Sequence, residues 1–214
     1  MKKIVIIGAG GFGREMLAWV RQSGIFWPVK GFLDDNLQAL DRFSKNVPVL
    51  DRIEDYVPQP EDLFVCAMGQ VEIKRRCTGR MMAAGGVFAQ VIHSTAVCGE
   101  NIELGMGVIL CPHAVVGSDA RLGDFVTVNL HSTIDHDAVI GRWTQVHCHV
   151  DITGGVVLGE RVLVGSHATI LPGVKVGDGA TIGAGSVVMQ DVPAGATVFG
   201  VPARPYRMRT VANE

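Results

Sequence analysis

The sequence predicts a two-part fold: an α/β domain over residues 1–88, followed by a parallel β-helix of six-residue repeats over residues 89–214. Glycine is abundant, at 27 of 214 residues, while aromatic residues make up only 6 %. Nine of the thirteen aromatic residues precede residue 90, whereas all seven histidines follow it. The change in composition near residue 90 indicates two structural parts that differ in the residue types they are built from.

Composition and charge exclude several classes of function. The 19 basic and 21 acidic residues give 19 − 21 = −2, so there is no electrostatic footprint for a nucleic-acid partner. No run of about 18 apolar residues occurs, so we expect no membrane span. The five cysteines are an odd number without a C-x-x-C pair. We interpret them as reduced thiols in a cytoplasmic protein.

The first part alternates predicted strands and helices. We expect strands at 3–7, 29–33 and 63–67, and helices at 14–22 and 71–84. A β-α-β order of this kind predicts a small parallel sheet that is covered by helices.

A glycine loop joins the first strand to the first helix. Gly8, Gly10 and Gly13 match the pattern G-x-G-x-x-G, and Asp34 follows some 20 residues later. Such a loop lets a pyrophosphate approach a helix N-terminus, although a structural tight turn is the alternative. About 88 residues are too few for both halves of a dinucleotide-binding domain. We therefore predict a Rossmann-like half-domain that holds one nucleotide diphosphate.

The second part is a repeat. From Ala96 to Asp191, 16 six-residue units follow one another without an insertion. The third residue of each unit is Val, Ile or Leu in 15 of them and Cys98 in the other, and the fourth residue is Gly in nine. Each unit predicts one short strand and one turn, with its aliphatic third residue inside a narrow coil.

These units resemble the repeats of the hexapeptide-repeat acyltransferases. Further matching segments are the glycine loop and residues 31–35, 67–69, 134–137 and 199–204. With them the whole chain resembles the bacterial nucleotide-sugar acetyltransferases. This group contains bacillosamine-type and perosamine N-acetyltransferases and sialic-acid O-acetyltransferases. The resemblance implies a left-handed coil in which three units complete one rung. It further implies a homotrimer with active sites between subunits, acetyl-CoA as co-substrate, and a nucleotide-linked amino sugar on the N-terminal domain.

One repeat carries an acid–histidine–acid turn, which suits general base catalysis. His136 is the candidate base, and Asp137 would orient its imidazole, with Asp135 as the alternative. With three units in a rung, Gly154 falls in the same column as His136, and its backbone N–H would bind the thioester oxygen. The resemblance supports these roles and adds Asn129 as an active-site residue. A solvated histidine and a turn-stabilising asparagine are the alternatives.

The resemblance also places ligand contacts. Coenzyme contacts are expected near Ser166 and Ala184, and Arg204 and Arg207 either meet coenzyme phosphates or are solvated. Two positions depart from relatives: many relatives have histidine where this chain has Phe12, and some have histidine where this chain has Gln145. The expected nucleotide-sugar contacts are Gly8, Gly10, Gly11, Phe12, Gly13, Asp34, Asp35 and Gly69.

A histidine column is not explained by the resemblance. Every third unit ends in histidine over part of the repeat, at His113, His131, His149 and His167. We expect a subunit interface there rather than the intersubunit zinc site of a γ-class carbonic anhydrase, and we expect no metal. The competing functions are O-acetyl transfer to a sialic acid or another sugar hydroxyl, a metal-dependent prism, and a non-catalytic nucleotide-sugar-binding protein. No acyl-enzyme is expected, because no cysteine stands beside a histidine–acid pair.

Overall fold

The N-terminal domain is a four-stranded parallel sheet with two helices. The structure is a computed structural model that describes residues 1–43 and 47–206. The strands lie in the order β3-β2-β1-β4. Within the described residues, no helix is long and apolar enough to cross a membrane. The elements are β1 (Lys3–Ile7), α1 (Gly11–Gln22), β2 (Val29–Leu33), β3 (Val49–Asp51), β4 (Asp62–Cys66) and α2 (Val71–Ala83).

The buried patterns explain these elements. Strand β1 is a central strand and is buried along almost its whole length, as expected in a covered parallel sheet. Strand β4 lies at one edge of the sheet, but it is also buried throughout, and Phe64 in it forms a parallel bridge with Phe88. The predicted elements are all present, but α1 begins three residues earlier than expected because the glycines of the loop are already helical. Strand β3 was not predicted, since a three-residue, half-buried edge strand carries too little pattern to detect.

The remainder is a parallel β-solenoid, which confirms the predicted repeat. Each strand of the repeat pairs in parallel with the strand three units further on, for example Thr127 with Gln145. Three sheets result, with five, six and eight strands. The strands are β5 (Val91–Ile92), β6 (Val97–Cys98), β7 (Glu103–Leu104), β8 (Ile109–Leu110), β9 (Val115–Val116), β10 (Arg121–Leu122), β11 (Thr127–Val128), β12 (Thr133–Ile134), β13 (Val139–Ile140), β14 (Gln145–Val146), β15 (Asp151–Ile152), β16 (Val157–Leu158), β17 (Leu163–Val164), β18 (Thr169–Ile170), β19 (Lys175–Val176), β20 (Thr181–Ile182), β21 (Val187–Val188), β22 (Thr197–Phe199) and β23 (Arg204–Pro205).

The interior of the solenoid is filled by the first and third residues of each unit. Ala114 and Val116 illustrate the pattern, since both are fully buried. Cys98, the one third-position residue that is not Val, Ile or Leu, is exposed at the first rung of its sheet. The sixth residue of many units has a positive φ, which closes the turn.

Three corners connect the three sheets. The eight-stranded sheet, called the docking face below, carries the N-terminal domain. The histidine corner follows this face and includes residues 111–113, 129–131, 147–149, 165–167 and 183–185. The His136 corner joins the other two sheets and includes 117–119, 135–137, 153–155 and 171–173. The tryptophan corner, with 123–125, 141–143, 159–161 and 177–179, leads back to the docking face.

The N-terminal domain packs on the docking face through apolar and aromatic contacts. Phe88 packs edge-on against Phe125, with ring centroids 4.9 Å apart. Leu130 and Ile109 belong to the same apolar cluster as helix α1. The His136 corner therefore lies on the side of the solenoid opposite the N-terminal domain of the same chain. The domain boundary between residues 88 and 89 stays a prediction.

Candidate active site

His136 projects from its corner as a hydrogen-bonded but accessible imidazole. Its Nδ1 donates to Asp137 Oδ2 over 2.7 Å. A carboxylate can only accept, so Nδ1 carries the proton and Nε2 is left with its lone pair free. The hydrogen bond to Asp137 and the negative charge of that carboxylate raise the pKa of His136 above 6.5. The imidazole is thus oriented and made more basic, as a general base requires.

Asp137 is held in the turn rather than by burial. Its φ of 60° lies in the left-handed region, where aspartate is tolerated better than most residues. Its backbone N–H donates to Ser118 O, one rung below, over 3.1 Å. The rung spacing therefore sets where the carboxylate stands relative to the imidazole.

Gly154 lies directly beside the His136 ring, as the spacing of the repeat predicts. A Cβ atom at Gly154 would stand 2.7 Å from both Cε1 and Nε2 of His136. The Gly154 N–H donates no hydrogen bond within residues 1–43 and 47–206. The corner thus pairs a free imidazole nitrogen with a free backbone donor, and a side chain at residue 154 would separate them.

Other predicted site residues lie at a different corner. Asn129, Ser166 and Ala184 all belong to the histidine corner, and the Ser166 and Ala184 rungs stack, with Gly185 N donating to Ser166 O over 2.9 Å. Asn129 Oδ1 accepts from the Leu130 N–H over 2.8 Å, which stabilises its own turn. Asn129 and His136 fall on successive corners of the coil, so a site that contains both would need two chains, and the role of Asn129 stays a prediction.

The glycine loop forms an open anion-binding geometry. Helix α1 has no capping side chain, and the N–H groups of Gly11, Phe12 and Gly13 donate no hydrogen bond within the described residues. A Cβ at Gly10 or Gly11 would meet nothing within 4 Å. Free N–H groups and the helix dipole favour a phosphate at this position.

The other loop glycines are required by packing and conformation. A Cβ at Gly13 would stand 1.8 Å from the carbonyl oxygen of Gly8, and Gly8 itself has a φ of +99°. The third glycine thus allows the helix to approach the end of β1, as the fingerprint predicts. Gly69, which follows β4, has open space on its side-chain side. Open space therefore lies beside Gly69, beyond the carboxyl end of β4.

The acidic residues after β2 stabilise the loops. Asp34 Oδ2 accepts from the Ala9 N–H over 2.8 Å, and its Oδ1 accepts from the Asn36 N–H over 2.9 Å. Asp35 is exposed, and its Oδ1 accepts from the Ile53 N–H over 3.3 Å. Asp34 thus positions the glycine loop. The sequence pattern predicted a substrate contact at Asp34 and did not indicate this structural role.

The structure places Phe12 and Gln145, the two positions that differ from relatives, and also Arg204. Phe12 packs edge-on against Trp19, with ring centroids 6.0 Å apart, and so faces its own helix. Gln145 is buried at the domain interface, where its Oε1 accepts from Lys74. Arg204 is exposed on β23, at the end of the docking face. Arg207 lies outside the described residues.

The histidine column is present as predicted. His113, His131, His149 and His167 stack with ring centroids 4.8, 5.1 and 4.8 Å apart and nearly parallel planes. All four are exposed. Within the described parts of the chain, no group of three or more metal-ligating side chains is placed to hold an ion.

Lys74 is the functional candidate that sequence analysis missed. It is 1 % exposed and lies on the buried stripe of α2, together with Val71, Thr78 and Met81. A charged residue at an apolar position of a helix is a detectable signal, since lysine is almost never fully buried without a partner.

Family models match segments of both parts of the chain. Residues 3–81 match the PglD N-terminal domain, and residues 155–190 match the bacterial transferase hexapeptide (six repeats). No curated protein sequence matches the chain.

Solved structures cover nearly the whole chain. The acetyltransferase domain of PglB from Neisseria gonorrhoeae FA1090 is 30 % identical, with a TM-score of 0.89, over 96 % of this chain and 100 % of that one. WeeI from Acinetobacter baumannii AYE is 28 % identical, with a TM-score of 0.87 and coverage of 96 % and 100 %. PerB from Caulobacter crescentus, in complex with CoA and GDP-perosamine, is 27 % identical, with a TM-score of 0.87 and coverage of 97 % and 98 %. The chain therefore belongs to the hexapeptide-repeat sugar acetyltransferases that carry a PglD-type N-terminal domain.

Proposed function

We propose that this protein transfers the acetyl group of acetyl-CoA to the amino group of a nucleotide-linked amino sugar, such as a UDP- or GDP-linked 4-amino-deoxy sugar. The observation that carries the proposal is the pair at the His136 corner, where a free imidazole Nε2 stands beside the free N–H of Gly154. Acyl transfer to an amine needs a base and an oxyanion donor at one point, and this pair supplies both.

The proposed reaction is a direct attack on the thioester. The sugar amine forms a bond to the acetyl carbonyl carbon while His136 Nε2 accepts the amine proton. The oxygen of the tetrahedral intermediate takes the negative charge and accepts a hydrogen bond from Gly154 N–H. The C–S bond then breaks, and the imidazolium of His136 returns the proton to the CoA thiolate. Asp137 stabilises that imidazolium through Nδ1.

The proposed substrate site lies on the N-terminal domain. The uncapped N-terminus of α1 would hold the diphosphate, and the open space at Gly10, Gly11 and Gly69 leaves room for the nucleotide and the sugar. This site belongs to a domain that packs on the docking face, whereas His136 lies on the opposite side of the solenoid. The substrate of one chain would therefore meet His136 of another.

We also propose a homotrimer with active sites between subunits. The arrangement calls for two chains at each site, and the number of three subunits comes from the resemblance to the family. Gly154 lies at the His136 corner, but Ser166 and Ala184 lie at the histidine corner. A single coenzyme that contacts both sets would run between two neighbouring solenoids. Asn129 would join the site in the same way, from the histidine corner of a second chain.

The test is CoA release measured with acetyl-CoA and a panel of UDP- and GDP-linked 4-amino sugars, together with hydroxy sugars and sialic acid. Turnover of an amino sugar is expected, with a ~10²–10⁴-fold loss in His136→Ala. Turnover of hydroxy sugars alone would favour O-acetyl transfer instead. Near-normal turnover in His136→Ala would rule out the assigned base.

A further inference from the structure

Lys74 extends from the N-terminal domain into the docking face. Its Nζ donates to Gln145 Oε1 over 2.6 Å, to Thr127 Oγ1 over 2.9 Å and to the carbonyl oxygen of Phe125 over 3.3 Å. All three acceptors belong to the solenoid, while Lys74 belongs to α2. An ammonium group has three N–H donors, so the donors and the acceptors match in number.

The ammonium is buried without an opposite charge. No carboxylate pairs with Lys74 in the described parts of the chain, and the titratable groups around it are the thiols of Cys66 and Cys111 and the imidazole of His147. Burial lowers the pKa of Lys74 to about 8. Transfer of such a cation from water into the protein disfavours folding, and its hydrogen bonds to neutral acceptors offset only part of that cost. Stability alone therefore does not account for a lysine at this position.

A second contact fixes the rotation of α2 on the solenoid. One helical turn beyond Lys74, the Thr78 hydroxyl oxygen accepts from Trp143 Nε1 over 3.0 Å. Because an ammonium can only donate, Gln145 must present Oε1 to Lys74 and turn its Nε2 away. Two directional attachments one helical turn apart on α2 define one orientation of the N-terminal domain, which apolar contacts alone do not specify.

We propose that Lys74 is a positioning residue, which holds the N-terminal domain at the orientation that delivers the bound sugar to the His136 corner of a neighbouring chain. The inference rests on the proposed function, since it assumes a substrate on this domain. Reacting atoms must come within about 3–3.5 Å, and a misplacement of about 1 Å costs ~10²-fold in rate. A small change of domain orientation would therefore lower kcat without removing either ligand site.

The first test uses Lys74→Met, which keeps the unbranched chain except for the terminal nitrogen and so removes its donors. We expect kcat to fall ~10–100-fold, while the Kd values for the nucleotide sugar and for acetyl-CoA change by less than about threefold. Removal of the buried charge stabilises the fold, whereas the three acceptors that lose their donor destabilise it, so the melting temperature should change by only a few degrees. Lys30→Met is the matched control. Lys30 bonds Tyr56 and Asp62 inside the N-terminal domain, so its loss should lower the melting temperature and leave kcat unchanged.

The pH profile separates positioning from packing. Above about pH 8, Lys74 loses a proton and retains two donors for three acceptors. The wild type should lose kcat over that range, and Lys74→Met should lack this alkaline decline. If Lys74→Met does not fold, Thr127→Val takes its place as the test. This variant removes one acceptor of Lys74 with little change in shape, and it should lower kcat ~3–10-fold. Wild-type kcat in Thr127→Val would then overturn the proposal.

Hydrogen exchange at α2 gives a readout that does not depend on activity. Exchange should be faster at the interface amides of Lys74→Met, but not in Lys30→Met. Unchanged exchange together with wild-type kcat overturns the proposal. A wild type that acetylates no nucleotide sugar overturns the proposed function, and the exchange comparison then still decides whether Lys74 holds the domain in place.

Discussion

Replacement of Gly154 by alanine tests whether the His136 corner works as a pair. The new Cβ would stand 2.7 Å from Cε1 and Nε2 of His136, whereas ordinary contacts begin at 3.4 Å. The ring must therefore move by about 0.7 Å (3.4 − 2.7), away from the Gly154 N–H. A displacement of this size in a reacting group costs up to ~10²-fold in rate, so we expect kcat to fall ~30–100-fold.

Stability should hardly change in this variant. The His136 side chain is 70 % exposed and free to swing outward, and the backbone of Gly154 is not in the left-handed region. Loss of glycine flexibility in the unfolded chain stabilises by ~0.4–1 kcal/mol, which offsets the cost of moving the ring. Thermal unfolding should therefore show a change in melting temperature of no more than about 2–4 °C.

Gly179→Ala is the matched control for Gly154→Ala. Gly179 also lies in a turn of the solenoid, but at the tryptophan corner, with a φ of +65° and no atom near its side-chain position. Alanine there should cost ~1–2 kcal/mol of stability, because of the left-handed backbone, and leave kcat within about twofold. The two variants should thus show opposite effects in CoA-release and unfolding assays. Wild-type kcat in Gly154→Ala would refute the paired-site reasoning.

Three further predictions concern charge and packing. Asp137→Asn should lower the pKa of His136 towards 6.5, so the acidic limb of kcat/KM, where the imidazole becomes protonated, should move to lower pH while kcat itself falls. Gly13→Ala brings a Cβ to 1.8 Å from a backbone oxygen, and it should destabilise the protein by ~1–3 kcal/mol in thermal unfolding and weaken nucleotide-sugar binding in calorimetry. Burial alone would raise the pKa of Asp62, but hydrogen bonds from Lys30, Tyr56 and the backbone lower it. Asp62→Asn should therefore cost ~2–4 kcal/mol at pH 7 in denaturant titrations, and the difference from wild type should shrink as the pH falls below about 4.

The repeat was predictable because its signal is redundant. The first and third residues of every unit face one interior, so a single register recurs and one ambiguous position such as Cys98 does not disturb it. Strand β3 shows the opposite case, since three residues at a sheet edge carry no recurring pattern. The start of α1 was misplaced for a related reason, because glycine has low helix propensity although its N–H groups are free at a helix start.

The site was predictable only where it followed the repeat. A rung of three units places His136 beside Gly154, and the structure puts them in contact range. The spacing of the rungs does not indicate how each corner of the solenoid is placed relative to the N-terminal domain. Asn129 was grouped with His136 by resemblance, but the two residues belong to successive units and so to different corners.

The sequence by itself determined the solenoid, its rung spacing and the column that joins His136 to Gly154. Those features depend on contacts between residues at a constant sequence separation, and such contacts produce a periodic pattern in the sequence. Only the tertiary structure decided that the N-terminal domain packs on the docking face, so that the His136 corner of the same chain lies on the opposite side of the solenoid. That arrangement depends on contacts such as Lys74 with Gln145, which are 71 residues apart and leave no periodic trace.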